Sequence, residues 1–318
     1  MLANRIIATL KFFDLQSFPL TAFEVHQYLV TDMQILHSKI DDKYELKTGE
    51  LEHSSPAVHL DTILTQLYIL TREERVVCKD GFYALAGREG IIRDRLRNYL
   101  NGLKREKLIK RYLIPTKNIP FVRGIALAGS QALGQQRKTS DIDLLIITDP
   151  NYMWTARTLL MIWFQIFGVR RHGNKTANRF CLNHYLSNPR EVDAERNLYK
   201  AMEYTKLRSV VYPKGILEFQ KANEKWIHQF FPNVTFSHLD EEKIKEISEA
   251  TSLQRNLEKL FHNSIGKWLE QQLGNWQKQR IRQDQFVFVR EDELSFHPES
   301  KHESLLQGFF KEKRINHI

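Results

Sequence analysis

Residues 125–148 read IALAGSQALGQQRKTSDIDLLIIT. The apolar run Ile125 to Ala128 predicts a short buried strand. Gly129-Ser130 stops it, a small-residue turn of helix and a basic loop with Arg137 and Lys138 follow, and Asp141 to Thr148 predicts a second strand. Side chains alternate along a strand, so Asp141 and Asp143 share a face with α-carbons roughly 6.5–7 Å apart, while Ile142 points the other way. Two carboxylates on one sheet edge form half a cage for a hard cation. Burying them is costly without positive charge, and oxygen-ligated Mg²⁺ carrying substrate phosphates is the usual compensation. Gly129 lets a triphosphate approach the backbone, Ser130 adds a hydroxyl, and the amides opening the next helical turn favour an anion. The plain alternative is a glycine turn with solvated aspartates at a strand end. Against it, acidic residues are depleted in strands, and these two open an otherwise apolar run.

Gly129-Ser130, the spacing to Asp141-Ile142-Asp143 and the apolar strand after it resemble the signature of the DNA polymerase β-like nucleotidyltransferase superfamily. The resemblance covers about 24 residues and implies an α+β fold, a mixed sheet with flanking helices. It implies transfer of a nucleoside monophosphate from an NTP to an acceptor hydroxyl, with pyrophosphate leaving. Carried onto this chain, Gly129, Ser130 and Ser140 are the nucleotide-binding positions. Asp141 and Asp143 are the catalytic positions and the ligands of Mg²⁺ or Mn²⁺. Superfamily members normally bring a third carboxylate from a later strand. The next strand-like run, Arg179 to Ser187, has no Asp or Glu, and Asn183 is its nearest polar substitute. An amide oxygen can ligate a metal but cannot act as a base. The second function class is therefore a catalytically weak or inactive relative acting as a nucleotide-sensing or DNA-binding regulator.

With 318 residues, 42% hydrophobic and 27% charged, the chain has the composition of a globular protein with ample core. The boundaries expected are a winged-helix-like domain at 1–87, a basic connecting helix and linker at 88–120, a nucleotidyltransferase core at 121–190 and a helical region at 191–318 with a short terminal strand. Cys78 and Cys181 are the only cysteines, too few for a disulfide framework or a cysteine-rich zinc site. The N-terminus lacks a signal-peptide pattern, so the cytoplasm is the expected compartment. Net charge is +9, favouring a polyanionic partner. Residues 88–111 hold nine Lys or Arg against three acidic residues. That helix is either a solvated face or a track for the phosphates of NTP or nucleic acid.

Toward the N-terminus, Ile6, Leu10 and Phe13 have helical spacing, and Thr21-Ala-Phe-Glu24 is a capping box that opens a second helix. A loop is expected at 39–54. Ser55-Pro56 fits a cap and first turn for a third helix to Thr71, and Lys79-Asp80-Gly81 turns a hairpin. Three helices and a hairpin resemble a winged helix-turn-helix. The third helix, Pro56 to Thr71, has no Lys or Arg, so contact with the catalytic domain, an acceptor protein or a second copy is expected ahead of DNA reading. Beyond the strand pair, Tyr152 to Val169 is interrupted by Arg157 and Gln165 and predicts a helix buried against the sheet rather than a membrane span. The basic loop 170–179 either holds triphosphate charge or is solvated. Helices are predicted near 194–210, 215–230 and 240–282, the last with core-facing apolar positions, and a strand near 286–289. Glu203 and Lys206, one turn apart, read as a surface pair or as groups facing the site. His297 reads as a loop histidine.

Overall fold

A computed structural model describes residues 2–31, 57–173, 175–192, 196–236, 249–281, 287–296, 306, 308 and 309. The expected loop at 39–54, the Ser55-Pro56 cap and His297 lie outside the described residues.

The N-terminal unit begins with α1 (Leu2–Asp14), which buries Ile6, Leu10 and Phe13. Strand β1 (Leu20–Thr21) leads into α2 (Ala22–Gln27). The Thr21 hydroxyl accepts from the Glu24 amide at 3.2 Å, and the Glu24 carboxylate accepts from the Thr21 amide at 2.9 Å. Helix α3 (Leu60–Arg72) has His59 at its N-cap position, four residues later than the proline signal suggested, with no side-chain capping bond. It buries Ile63, Leu67 and Leu70 and turns Leu64, Tyr68 and Ile69 outward. Strands β2 (Val76–Lys79) and β3 (Phe82–Leu85) form the hairpin. Asp80 and Gly81 both have positive φ, as the tight turn requires. Because β1 pairs with β3, the hairpin becomes a three-stranded sheet in the order β1-β3-β2.

Helix α4 (Gly90–Leu113) carries the basic run. It is neither uniformly solvated nor uniformly a phosphate track. Arg88 pairs with Asp14 at 2.7 Å and Arg97 with Asp94 at 2.7 Å. Arg95 pairs with Glu24 at 2.8 Å and lies over the rings of Phe18 and Phe82. Arg105 is buried. Arg93, Lys104, Lys107, Lys110 and Arg111 remain exposed.

After a 3₁₀ turn (Ile114–Asn118), the chain builds a six-stranded mixed sheet around β4 (Val122–Leu127) and β5 (Ile142–Thr148), joined through α5 (Gly129–Leu133). Helix α6 (Met153–Ile166) leads to β6 (Phe180–Ser187), and α7 (Leu198–Thr205) to β7 (Arg208–Val211). Then come α8 (Pro213–Phe230), α9 (Ser252–Phe261), α10 (Ser264–Arg280), β8 (Phe288–Val289) and β9 (Glu293–Ser295). The strand order is β7-β4-β5-β6-β9-β8. Among the described strands only β5 and β6 pair in parallel, with α6 as the crossover between them.

Alternation sorts the central strands between two cores. Ile125, Leu127, Ile142, Leu144 and Ile146 face α6 with Leu160 and Phe164. Ala126, Leu145 and Ile147 face the other way, into a core shared by α8 and the N-terminal helices. Strand β5 is thus covered on both faces, which explains its unbroken apolar sequence. Tyr28 packs edge-on against Phe231 at 5.4 Å, and the Asn233 amide donates to the His26 carbonyl at 2.8 Å.

Three expectations change. The helix read over 194–210 ends at Thr205, and Arg208–Val211 pairs with β4 as an edge strand. The helix read over 240–282 is broken at His262-Asn263, where Asn263 caps α10 by accepting from the Gly266 amide. Four of its apolar positions are not core, since Leu253, Leu260, Ile265 and Trp268 are exposed, whereas Phe261 packs against Phe121 and Tyr152; Ile244 and Ile247 lie outside the described residues. Helix α6 does pack against the sheet and α10, although Ile162 and Ile166 on its outer side are exposed. Among the described residues no helix is long and apolar enough to cross a membrane.

Candidate active site

Strand β4 ends at Leu127, Ala128 is the N-cap of α5, and Gly129 turns the chain with φ +55°. The geometry favours glycine. A Cβ built on Gly129 would stand 2.7 Å from the Asp143 Oδ2, inside any allowed contact, and φ is left-handed. Gly129, Ser130, Asp141 and Asp143 therefore gather at one end of the β4–β5 pair. Ser140 sits at the entrance to β5, where its hydroxyl accepts from the Arg137 amide at 3.1 Å and closes the basic loop.

Helix α4 holds that loop from behind. Arg105 donates to the carbonyls of Arg137 at 2.8 Å and Lys138 at 3.1 Å. The Asn101 amide donates to the Gln136 carbonyl at 3.1 Å. Part of the basic helix thus serves to position the segment between the serine and the aspartates.

On the other side of β5, β6 places Cys181 in register with Asp143. Leu182 and Asn183 together oppose the single residue Leu144, a bulge of the kind that re-aims side chains beside sites. Ligand atoms of Asp141, Asp143 and Cys181 lie within 4.8 Å of one another. The Asn183 amide nitrogen donates to Asp143 Oδ1 at 2.9 Å, so it presents a donor, not a metal ligand, to that oxygen. Arg171, from the basic loop before β6, donates to Asp141 Oδ2 at 2.6 Å and to Cys181 Sγ at 3.3 Å.

The electrostatics fit a hard cation. Burial and then the charges of Asp141 and Glu203 push the Asp143 carboxyl up to about 7, and the Asn183 hydrogen bond and Arg171 offset only part of this. A guanidinium already lies on Asp141, as expected where negative charge needs a counter-ion. Burial and the charge of Asp143 raise the Cys181 thiol to about 12, so the neutral thiol is a poor third ligand for Mg²⁺ and the two carboxylates carry the donor set.

Glu203 is not half of a surface pair with Lys206. It is buried and paired with buried Lys200 at 3.0 Å, while Lys206 reaches Glu24 at 3.3 Å. Its charge is felt at Asp143, but it lies outside the compact Asp141–Asp143–Cys181 group.

Arg171, Arg105 and Cys181 were not singled out from sequence. A signal existed for Arg171, which lies in the glycine-containing basic loop. Cys181 was hidden, because its place opposite Asp143 depends on the parallel pairing and its bulge.

The nucleotidyltransferase domain family matches residues 114–289, more than half of the chain, and spans every element just described from the 3₁₀ turn to β8. The chain belongs to this nucleotidyltransferase domain family. No curated protein and no solved structure matches it.

Proposed function

We propose that the chain is a divalent-metal-dependent nucleotidyltransferase that moves a nucleoside monophosphate from an NTP to an acceptor hydroxyl. The observation that carries this reading is the approach of the Asp143 carboxylate to Gly129 within the matched family region. It sets an acidic pair directly against a turn whose backbone has no side chain to exclude phosphate. Asp141 and Asp143 would hold Mg²⁺ or Mn²⁺, which when bound supplies charge neutralisation to the phosphates. Gly129 and Ser130 seat the β and γ phosphates, and Ser140 holds the basic loop that leads into the aspartates. Arg171 exchanges its contact with Asp141 for the phosphate oxygens, so a charge stored on the site becomes stabilisation of the leaving pyrophosphate.

A second reading, a weak or inactive relative acting as a nucleotide-sensing regulator, is favoured by one observation. Opposite Asp143, β6 offers Cys181 and Asn183 where the superfamily normally has a carboxylate. In either reading the N-terminal unit is a winged helix. The outward Leu64 and Tyr68 of α3 suit a protein partner or second copy better than DNA.

Incubation with each α-labelled NTP, Mg²⁺ or Mn²⁺ and a cell extract tests the transferase. Label reaching an acceptor with the intact chain, and not with Asp141→Ala/Asp143→Ala, is the expected result. No transfer from any NTP, with the nucleotide still bound, favours the regulator.

A further inference from the structure

Beyond β6, on the side of Asp143 away from Gly129, lies a cleft that shares only Arg171 with the nucleotide seat. It consists of two adjoining cavities of about 430 and 460 Å³ that share Arg157, Met161, Arg170 and Phe296. The first begins beside the acidic pair, since it is lined by Arg171, which contacts Asp141, and by Asn183, which contacts Asp143. The second continues to Trp276 and Arg280 on α10. Four guanidinium groups, from Arg157, Arg170, Arg171 and Arg280, border this path, and among the described residues no carboxylate does.

Oδ2 of Asp143 is the oxygen beside Gly129, and Oδ1 accepts from Asn183, which lines the cleft. In-line displacement at phosphorus places the attacking and leaving oxygens on opposite sides of the reacting atom. With the β and γ phosphates seated at Gly129-Ser130, the acceptor approaches from the cleft.

The chemistry of the cleft specifies that acceptor. Arginine matches phosphate with a planar fork of donors. Arg157 lies between both cavities, its Nη1 donates to the Gln277 side chain, and its buried Nε has no partner. At the far end, Arg280 lies 4.5 Å from the Trp276 ring centroid, and that residue is 47% exposed, enough for a base to stack against it. An acidic peptide would use the charge but not the aromatic platform, and a cationic small molecule would be repelled.

We propose that this cleft receives the 3′ end of a single-stranded nucleic acid, whose terminal hydroxyl accepts the nucleotide; the inference rests on the transferase reading above. The hydroxyl oxygen forms a bond to the α-phosphorus as the bond from that phosphorus to its bridging oxygen breaks. Pyrophosphate departs with the electron pair, and the hydroxyl proton passes to water.

The test is fluorescence anisotropy of the full-length chain with end-labelled 12-nucleotide single-stranded RNA and DNA, beside transfer from α-labelled NTPs onto the same oligonucleotides. Arg280→Glu and Trp276→Ala, both at exposed positions, should each weaken binding about tenfold or more. Lys267→Glu, an equal charge change on the same helix outside the cleft, should alter it less than twofold. A 3′-phosphate on the oligonucleotide should abolish transfer and leave binding. Oligonucleotide binding that is absent, or equal in all variants, overturns the proposal, as does label on protein that survives Arg280→Glu. Binding is read without chemistry, so the two readings fail separately. Cleft-dependent binding with no transfer from any NTP counts against the transferase, and transfer to another acceptor without oligonucleotide binding counts against the cleft.

Discussion

The Asp143 carboxylate lies over Gly129 so closely that a single methyl group there would meet its Oδ2 at 2.7 Å. Gly129→Ala combines this clash with a left-handed φ of +55°. Such backbone strain costs about 1–3 kcal/mol, and relief requires Asp143 to turn away. Urea unfolding should show that loss of stability, with transfer falling at least tenfold. An alanine variant of unchanged stability and activity would remove the close approach from the account of the site.

Arg171 on Asp141 occupies, with positive charge, the position of a metal ligand's partner. Arg171→Gln should therefore tighten Mn²⁺ binding to the nucleotide-free protein several-fold, read by titration calorimetry or paramagnetic resonance. The same variant should raise the KM for NTP, because the phosphates lose a guanidinium. A weaker Mn²⁺ site in this variant would mean that Arg171 supports the ion rather than competing with it.

The thiol of Cys181, raised to about 12 by burial and by Asp143, is almost wholly protonated at pH 8. Cys78 is exposed on β2. Iodoacetamide at pH 8 followed by peptide mass spectrometry should modify Cys78 in the folded chain and leave Cys181 unmodified until denaturant is added. Equal labelling of both would contradict the environment drawn for β6.

Glu24 ties the N-terminal unit to two other elements, α4 through Arg95 and the end of α7 through Lys206. Burial alone would raise its carboxyl, but the Arg95 hydrogen bond, the charges of Lys206 and Arg95, and the Thr21 amide hold it below 4.5. A depressed carboxylate stabilises the fold above its unfolded value, and that contribution disappears as pH falls through the lower folded value. Glu24→Gln should lower stability at pH 7, because it leaves Arg95 and Lys206 without their carboxylate. The gap to the parent should narrow as pH falls below 4.5, measured by thermal unfolding across pH. A constant gap would assign the loss to packing.

The stretch 125–148 was readable because its signals are local: two apolar strands, a glycine at the turn between them, and aspartates two apart on one strand. The capping box at Thr21 and the Asp80-Gly81 turn were legible for the same reason. Strand β7 was not, since Arg208 to Val211 adopts it only by pairing with β4, and its apolar residues fit the end of a helix equally well. Leu260, Ile265 and Trp268 have core-like spacing on helices whose outer face is uncovered, so periodicity misplaced them. The contact of Arg171 with Asp141 joins positions 30 residues apart, and no spacing rule anticipates it.

The shared core under β4 and β5 has a practical consequence for anyone trimming the gene. A fragment cut to residues 114–289 would leave Phe219, Ile227 and Phe230 of α8 without the α1 and α2 side chains that complete their cluster. Each fully buried side chain of this kind is worth about 1.5–3 kcal/mol, so the shortened polypeptide would be sticky and poorly soluble. Expression work should keep the first thirty residues attached.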